Sequence, residues 1–525
     1  MNDVRPTRER WWIPSPVACV FLLITAVAVI FAGNYIINLD GELARHLTHG
    51  RYMVESGRLM RDYPFSYTTP GRPFLAMEYG TQVLFFLLYR LGGVVGVAAA
   101  TIALLAASHA LQMRVMLKRG VDPVLGVAAV AIAAAMGAMF WQARPHMISL
   151  FMVAMLLQCL EGTLPRRPWW ALALFAVWAN FHPGWVYGLI LIGIYGVGAV
   201  LEPIWRGDRT IEWRSRTSHL AQAFVAGCVG TFLTPNGLAL HRHVAGFFAL
   251  SYQFDNIREF LSPNFHDPSF RPLLAGLLIV IIALGMSARR LSVTHILVLV
   301  THVQQTLQAN RYASLLGLTG MTVLAIHLAP EWDALVARSA PALAAFESRW
   351  RTARSPLGWA LAVLILLGLT STHGRVAGRQ VIPNRFSASR FPVRLVDRAM
   401  RAGRTGHLYA ETISWSDYVI FAWPHQTIFI DGSGDFFGND LLKESHQVLA
   451  AHAGYDAPLA RRNVQLVMAS ARGPLAQALL ARSDWKVLDC DQVAVLFGRS
   501  GTPEPVSALG QPTSQCVKPV DSAVQ

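Results

Sequence analysis

Residues 13–50 read IPSPVACVFLLITAVAVIFAGNYIINLDGELARHLTHG. The run from 13 to 33 is apolar and, wound as a helix at about 1.5 Å per residue, matches the ~30 Å hydrocarbon core of a bilayer. It has no clear small-residue cleavage site and leads into further apolar runs, so it reads as a retained anchor and not as a signal peptide. Directly behind it comes Asn38-Leu-Asp-Gly-Glu42, and residues 40–57 then show helical periodicity, with Leu43, Leu47, Gly50 and Val54 on one stripe. Glu42, Arg45, His46 and His49 lie on another side. The segment is expected to lie along the membrane surface as an amphipathic helix whose polar face is left available.

The rest of the chain extends this reading. Of 525 residues 53% are hydrophobic and only 14% charged, against roughly 25% charged in soluble domains, which excludes a purely cytoplasmic soluble enzyme. The mean hydropathy of +0.38 averages two unlike parts, because residues 13–372 hold nearly all the long apolar runs. Runs fall near 13–33, 92–117, 122–140, 147–162, 169–181, 184–202, 218–234, 271–286, 291–307, 311–329 and 356–372. These predict a polytopic α-helical membrane protein of about eleven transmembrane helices. The fifth and sixth runs meet at Asn180-Phe-His-Pro-Gly184 and suggest a broken or re-entrant pair.

The charge balance is 45 basic against 31 acidic residues, a net +14. Much of the excess lies between apolar runs, at Arg5, Arg8, Arg10, Lys118, Arg119, Arg166, Arg167, Arg206, Arg209, Arg214, Arg216, Arg289, Arg290, Arg349, Arg351 and Arg354, where it orients a polytopic protein by the positive-inside rule. No basic tract with interleaved aromatics suggests a nucleic-acid partner. With residues 1–12 cytoplasmic, the segments 34–91, 141–146, 180–184, 235–270 and 308–310 fall outside, as does everything after 372. In a bacterium this is an inner (cytoplasmic) membrane protein with a C-terminal periplasmic domain over 373–500.

That domain alternates β-like runs (His407–Ala410, Gln426–Ile430, Val464–Met468, Trp485–Leu488, Val493–Phe497) with helical stretches near Trp415–Trp423, Leu441–Ala451 and Pro474–Ala481, an α/β pattern. Asp431-Gly-Ser-Gly-Asp435 follows a strand and reads as a tight turn or as a phosphate cradle, the turn explaining it at least as well. Residues 501–525 are Pro-, Ser- and Gln-rich and read as a disordered tail. Cys490 and Cys516 are the one pair able to form a disulfide outside, since Cys19, Cys159 and Cys228 lie in apolar runs.

Asp40 stands where the first-loop helix should begin, which is the place of an N-cap. The same carboxylate could serve as a general base at the membrane boundary, with Glu42 as a second carboxylate that raises its pKa or shares a divalent ion such as Mg or Mn. Glu78, Arg144, His146, His182, Arg258 and Arg311 come from other outer segments and suit the binding of a substrate or its phosphate: an anionic lipid-linked phosphate or diphosphate needs cationic or hydrogen-bonding groups, and an acceptor hydroxyl needs a carboxylate. Each can instead snorkel to head groups or satisfy a helix end. No Gly-x-Ser-x-Gly elbow or His-Glu-x-x-His motif is usably placed.

The stretch Asp40-Gly-Glu-Leu-Ala-Arg-His-Leu-Thr-His-Gly50, with Glu55-Ser-Gly57, Asp62-Tyr-Pro-Phe-Ser-Tyr67 and Met77-Glu-Tyr-Gly80, resembles the first periplasmic loop of bacterial multi-pass proteins of the GT-C glycosyltransferase superfamily. The branch is the one grouped with lipid-carrier-dependent mannosyl- and galacturonosyl-type transferases. Further similarity lies in Arg144-Pro-His146, Trp178-Ala-Asn-Phe-His-Pro-Gly184, Thr234-Pro-Asn-Gly237, Glu259-Phe-Leu-Ser-Pro263 and Ile430-Asp-Gly432. The resemblance implies inverting transfer of a sugar from a polyprenyl-phosphate donor to an acceptor at the outer face of the membrane, with Asp40 as base and the metal requirement open. Gly41 and Arg45 stand where related proteins often carry bulky aromatics, and Glu78-Tyr79 replaces a more usual Glu-Trp, so the identity of the sugar does not transfer. The competing reading is a non-catalytic membrane assembly protein of an envelope polysaccharide system. A transporter would show paired hydropathy repeats, and only one broken pair is present.

Overall fold

Each of the apolar runs becomes helical, wholly or for most of its length, as a backbone without water must by satisfying its own polar groups. The structure, a computed structural model, describes residues 12–207, 212–247 and 249–501. Among them six helices are long and apolar enough to cross a membrane: Pro16–Asn38, Tyr79–Lys118, Pro123–Phe140, Trp185–Arg206, Pro268–Met286 and Asn310–Ser339. His146–Leu160, Trp169–Phe181 and Leu357–Ser371 are apolar but shorter, and the remaining runs lie in Glu212–Gly230 and Val293–Gln308. The protein is thus a polytopic membrane protein. Arg5, Arg8, Arg10, Arg209, Cys516 and the 502–525 part of the expected tail lie outside the described residues.

The chain divides into two compact units, and the boundary crosses the sequence several times. One contains the residues up to Ile36, Val95–Leu238 and Asn256–Ile382; the other contains Ile37–Val94, Ala239–Asp255 and the chain from Pro383 onward. The Tyr79–Lys118 helix contributes to both and kinks where they divide. Gly93 there has φ 60° and ψ −159°, a combination essentially restricted to glycine.

In the first unit Trp169–Phe181 and Trp185–Arg206 both pack on Glu212–Gly230, Trp185–Arg206 also packs on Val293–Gln308, and Pro16–Val27 packs on Leu357–Ser371. Phe175, Trp178 and Tyr195 are fully buried between helices, whereas Phe31 and Met286 are 77% and 82% exposed. Large apolar side chains turned outward are what a hydrocarbon solvent permits. Two spanning helices carry a π-helical turn, at Ala28–Ala32 and at Leu316–Gly320, which disturbs the ladder of backbone hydrogen bonds. Gln112, itself fully buried, donates from Nε2 to the carbonyls of Gly317 at 3.2 Å and Leu318 at 3.0 Å.

The second unit is built on a four-stranded sheet in the order Leu408–Ala410, Leu466–Ser470, Ala494–Arg499, Trp485–Cys490, its first pair parallel and the others antiparallel. Helices Ile413–Ala422 and Pro474–Leu480 fall close to the sequence expectation, whereas Gly434–Leu449 begins well before the expected Leu441. The expected strand over Gln426–Ile430 differs, forming only isolated bridges from Ile428 to Ser66 and Leu408. The reason is that its neighbour on one side is irregular loop: Ile428 N–H donates to Phe65 O, and Phe429 N–H to Leu408 O, both at 2.9 Å. The first loop is thereby joined to the sheet. Met53, Met60, Tyr63 and Phe74 from that loop share one apolar core with Tyr409, Phe429, Phe436, Val467 and Phe497.

Replacing Gln112 with Leu keeps the volume and removes the two donors. Leu318 O also accepts from Thr322 Oγ1 at 2.6 Å, so the loss expected is about 1–3 kcal/mol for the Gly317 carbonyl, read as a lower midpoint of thermal unfolding in detergent. An unchanged midpoint would show that the π-turn carbonyls need no such partner.

Candidate functional site

In the second unit, ionisable residues converge on the Glu42–Ser56 helix, which packs against Ile413–Ala422. Thr412 starts the latter helix by accepting from Trp415 N–H at 3.2 Å, and places Asp417 on its second turn. The polar face expected to be left available is instead buried in protein: Arg45, His46 and His49 are each at most 7% exposed. Arg45 is the hub. Its guanidinium lies 3.5 Å from Asp417 Oδ1 and 3.8 Å from Glu42 Oε2, and donates to Ser433 Oγ at 3.4 Å. Against desolvation, the charges of Asp417, Glu42, Asp431 and Glu78 raise its pKa.

The turn after Ile430 reaches the hub through glycine. A Cβ on Gly432 would sit 2.9 Å from both Arg45 Nε and Asp417 Oδ2, and Gly432 N–H donates to Asp417 Oδ1 at 2.9 Å. Asp431 accepts from Ser433 N–H at 2.8 Å, as its reading as a turn residue requires. It is also completely buried and accepts the phenol proton of Tyr63. With that proton committed, the 3.1 Å contact of His49 Nε2 with the Tyr63 oxygen assigns the donor to His49, and His49 Nδ1 then accepts from Gln82 Nε2 at 3.3 Å. Burial, reinforced by the Arg45 charge, holds His49 well below its usual range, so the imidazole is neutral. Burial lifts the Asp417 and Asp431 carboxyls, Arg45 opposing it in each case.

The residues named from sequence take their places around this hub. The N-cap of the Glu42–Ser56 helix is Gly41 and not the expected Asp40; Asp40, one residue earlier, accepts from Glu42 N–H at 3.0 Å in a local turn that orients its carboxylate. His46 lies between two carboxylates, with Nε2 4.0 Å from Glu42 and Nδ1 4.0 Å from Glu78. Tyr63, Asp417, Asp431 and Ser433 were not selected from sequence as site residues. An ionisable side chain inside the apolar run Ser416-Asp-Tyr-Val-Ile420 was the available signal for Asp417.

Asp40 and Glu42 were the residues expected to hold any Mg or Mn ion. Among the described residues no group of three or more His, Cys, Asp or Glu is arranged to hold a metal. The cation between Glu42 and Asp417 is the Arg45 guanidinium. Glu42 and Asp417 are thus engaged by a guanidinium.

In the first unit the charge pattern is inverted. Arg144 donates to Glu259 Oε2 at 2.8 Å, and Arg311 lies 3.3 Å from Glu259 Oε1. Burial would raise the Glu259 carboxyl, but Arg311 and Arg144 outweigh it and hold it at about 2. His146 Nε2 donates to Phe140 O at 2.9 Å. His182 is in extended conformation between Trp169–Phe181 and Trp185–Arg206, which realises the expected break. Its Nδ1 accepts from Gly184 N–H at 2.9 Å and lies 2.7 Å from Ser149 Oγ, which itself accepts from Trp178 Nε1 at 2.7 Å. Burial, with His146 and Arg311 nearby, keeps this imidazole well below its ordinary range. Arg258 is not brought to the cluster: its side chain is 76% exposed and pairs with Asp267.

No family model matches the chain, and no curated protein matches it. Solved structures do. The oligosaccharyltransferase of Archaeoglobus fulgidus, tethered to an acceptor peptide containing the NVT sequon, superposes with a TM-score of 0.53 at 12% identity over 87% of this chain and 68% of that one. Its apo form gives 0.52 at 11% identity over 95% and 76%. The same archaeal enzyme, AglB, with an inhibitory peptide and a dolichol-phosphate, gives 0.51 at 11% over 93% and 74%. At such identities the likeness is one of fold: the chain shares the fold of these archaeal oligosaccharyltransferase structures.

Replacing Arg45 with Met leaves Asp417 and Asp431 buried without their cation, at an expected cost of about 3–5 kcal/mol. A carboxyl whose pKa is raised in the folded state binds its proton more tightly there, so its contribution is present at low pH and is lost as pH rises through the folded value. The deficit of R45M, followed by unfolding in detergent, is therefore expected to be larger at pH 8 than at pH 5. An equal deficit at both would count against the charge assignment.

Proposed function

We propose that the protein is an inverting glycosyltransferase that moves a sugar from a polyprenyl-phosphate carrier to an envelope lipid, glycan or protein acceptor. The reaction is placed at the periplasmic face of a bacterial inner membrane, with the N-terminus cytoplasmic and residues 373–500 periplasmic. The observation that carries this reading is the Arg144–Glu259–Arg311 cluster in a chain with an oligosaccharyltransferase-like fold. Guanidiniums such as those of Arg144 and Arg311 supply the N–H donors that bind anionic oxygens.

The acceptor hydroxyl gives its proton to Asp40, whose carboxylate the Glu42 N–H orients. The acceptor oxygen attacks the anomeric carbon on the face opposite the phosphate. The bond from that carbon to the phosphate oxygen breaks, and the electron pair leaves on the phosphate. Arg144 and Arg311 stabilise the charge that develops there, with His146 and His182 as neighbouring hydrogen-bonding groups. Glu42 and Glu78 supply acceptor oxygens for sugar or acceptor hydroxyls.

The test is mass spectrometry of envelope lipids and glycans from a deletion strain complemented with wild type or Asp40→Asn at equal protein levels. A missing sugar in the deletion strain identifies the product, and D40N is expected to restore it at least about 100-fold less well, the scale of general-base loss. Full restoration by D40N would exclude Asp40 as base and favour the non-catalytic assembly reading.

A further inference from the structure

We infer that His243, held by Asp435, accepts a hydrogen bond from a sugar hydroxyl in a subsite that Gln253 completes as donor. The inference rests on the proposed function, for which it supplies a contact to the substrate away from the reacting atoms.

The subsite lies at the far end of the 431–435 turn. Asp431-Gly-Ser-Gly-Asp435 meets the Arg45 hub through Gly432 and Ser433. Its last residue faces the helix Leu238–Phe247: His243 Nε2 lies 2.7 Å from Asp435 Oδ2. A carboxylate can only accept, so the proton of a neutral imidazole sits on Nε2 and Nδ1 presents a lone pair. Among the described residues nothing bonds to that nitrogen, and the side chain is 23% exposed, so a ligand can reach it.

Gln253 stands beside the same turn. It is 2% exposed, and among the described residues its Nε2 is buried without a hydrogen-bond partner, which a folded chain rarely tolerates. A Cβ on Gly434 would sit 3.2 Å from that nitrogen, so Gln253 and His243 lie against consecutive residues, Gly434 and Asp435. Next to Gln253 in the chain, the Tyr252 phenol lies 2.8 Å from His446 Nδ1. The helix Gly434–Leu449 thus holds this segment at two points, His243–Asp435 and Tyr252–His446.

An acceptor nitrogen beside a donor nitrogen is matched by a group that both gives and takes a hydrogen bond, and a hydroxyl does so. A phosphate or carboxylate does not, because it would set its charge against the Asp435 carboxylate and the Nδ1 lone pair. The reading of the turn as a phosphate cradle is disfavoured on the same ground. Sugars are the hydroxyl-rich substrates of the proposed reaction.

The test treats the full chain in nanodiscs with diethyl pyrocarbonate at pH 8, which acylates an unprotonated imidazole nitrogen, and reads His243 by mass spectrometry; the tryptic peptide 243–258 contains no other histidine. Octyl glucoside, octyl galactoside and octyl mannoside are the probes, below the concentration at which they form micelles, and octyl tri(ethylene glycol) ether is the control for the alkyl chain. Wild type is expected to react at His243, and at least one glycoside is expected to slow the reaction about ten-fold, the scale of a hydrogen bond to a group otherwise left unpaired, whereas the ether does not. Gln253→Leu, which removes the amide and keeps its volume, is expected to lose the protection without a change of rate in the absence of glycoside. An unreactive His243, protection by none of the glycosides, equal protection by the ether or full protection in Q253L overturns the inference, and wild type decides alone if the variant does not fold. The transferase reading is separated from it in the deletion strain. There His243→Gln keeps a donor for Asp435 and loses the Nδ1 acceptor, and is expected to restore the missing sugar about ten-fold less well than wild type, with His243→Asn, which keeps an acceptor near the Nδ1 position, between the two. Full restoration by H243Q would show that the histidine only pairs with Asp435 and would overturn the inference as well. A deletion strain that lacks no sugar removes the transferase reading instead, and the protection result then decides the subsite.

Discussion

The second unit depends on one buried cation. Arg45 comes from the first loop, Asp417 and Asp431 from nearly four hundred residues later, and burial of the two aspartates is tolerable because a guanidinium lies among them. That requirement fixes more than charge. It fixes the rotation of the Glu42–Ser56 helix on Ile413–Ala422, because only one face of the helix carries Arg45. It also fixes residue 432 as glycine, since a side chain there would occupy the place of the guanidinium. The hydrogen bonds from Gln82 through His49 and Tyr63 to Asp431 then follow in one direction only.

The first unit solves the opposite problem with the opposite arrangement, one carboxylate between two guanidiniums. The two clusters set proton positions in contrary ways. Around Arg45, burial lifts the carboxyls of Asp417 and Asp431; between Arg144 and Arg311, Glu259 is driven to about 2 and stays ionised.

What was legible in the sequence was local. Apolar runs marked the helices because in a hydrocarbon solvent length and composition are nearly sufficient, and the period of residues 40–57 marked the Glu42–Ser56 helix to within two residues. The break at His182 was legible because proline and glycine follow it. The pairing of elements was not. Gln426–Ile430 has the composition of a strand, but strand formation depends on a neighbour, and half of its neighbours are loop residues distant in sequence. The outer-loop arginines illustrate the same limit: Arg144 and Arg311 meet at Glu259, whereas Arg258, adjacent to Glu259 in the chain, points away to Asp267. The burial of the polar face was illegible for a related reason. Amphipathic periodicity shows that a helix has two faces, not which of them water reaches, and Asp431 looked like a turn residue because it is one as well as an ionic partner.

Stability alone does not account for such clusters. A buried ion pair is often replaceable by apolar side chains of equal volume with no loss, and sometimes with a gain, because desolvation offsets most of the Coulomb attraction. A chain with 53% hydrophobic and 14% charged residues has apolar packing in abundance and little need of ions to hold its helices together. Yet it places four carboxylates within the field of Arg45 and two arginines on Glu259, in environments where each unpaired charge would be costly. Groups that packing could replace, retained where they cost most, are not explained by stability alone.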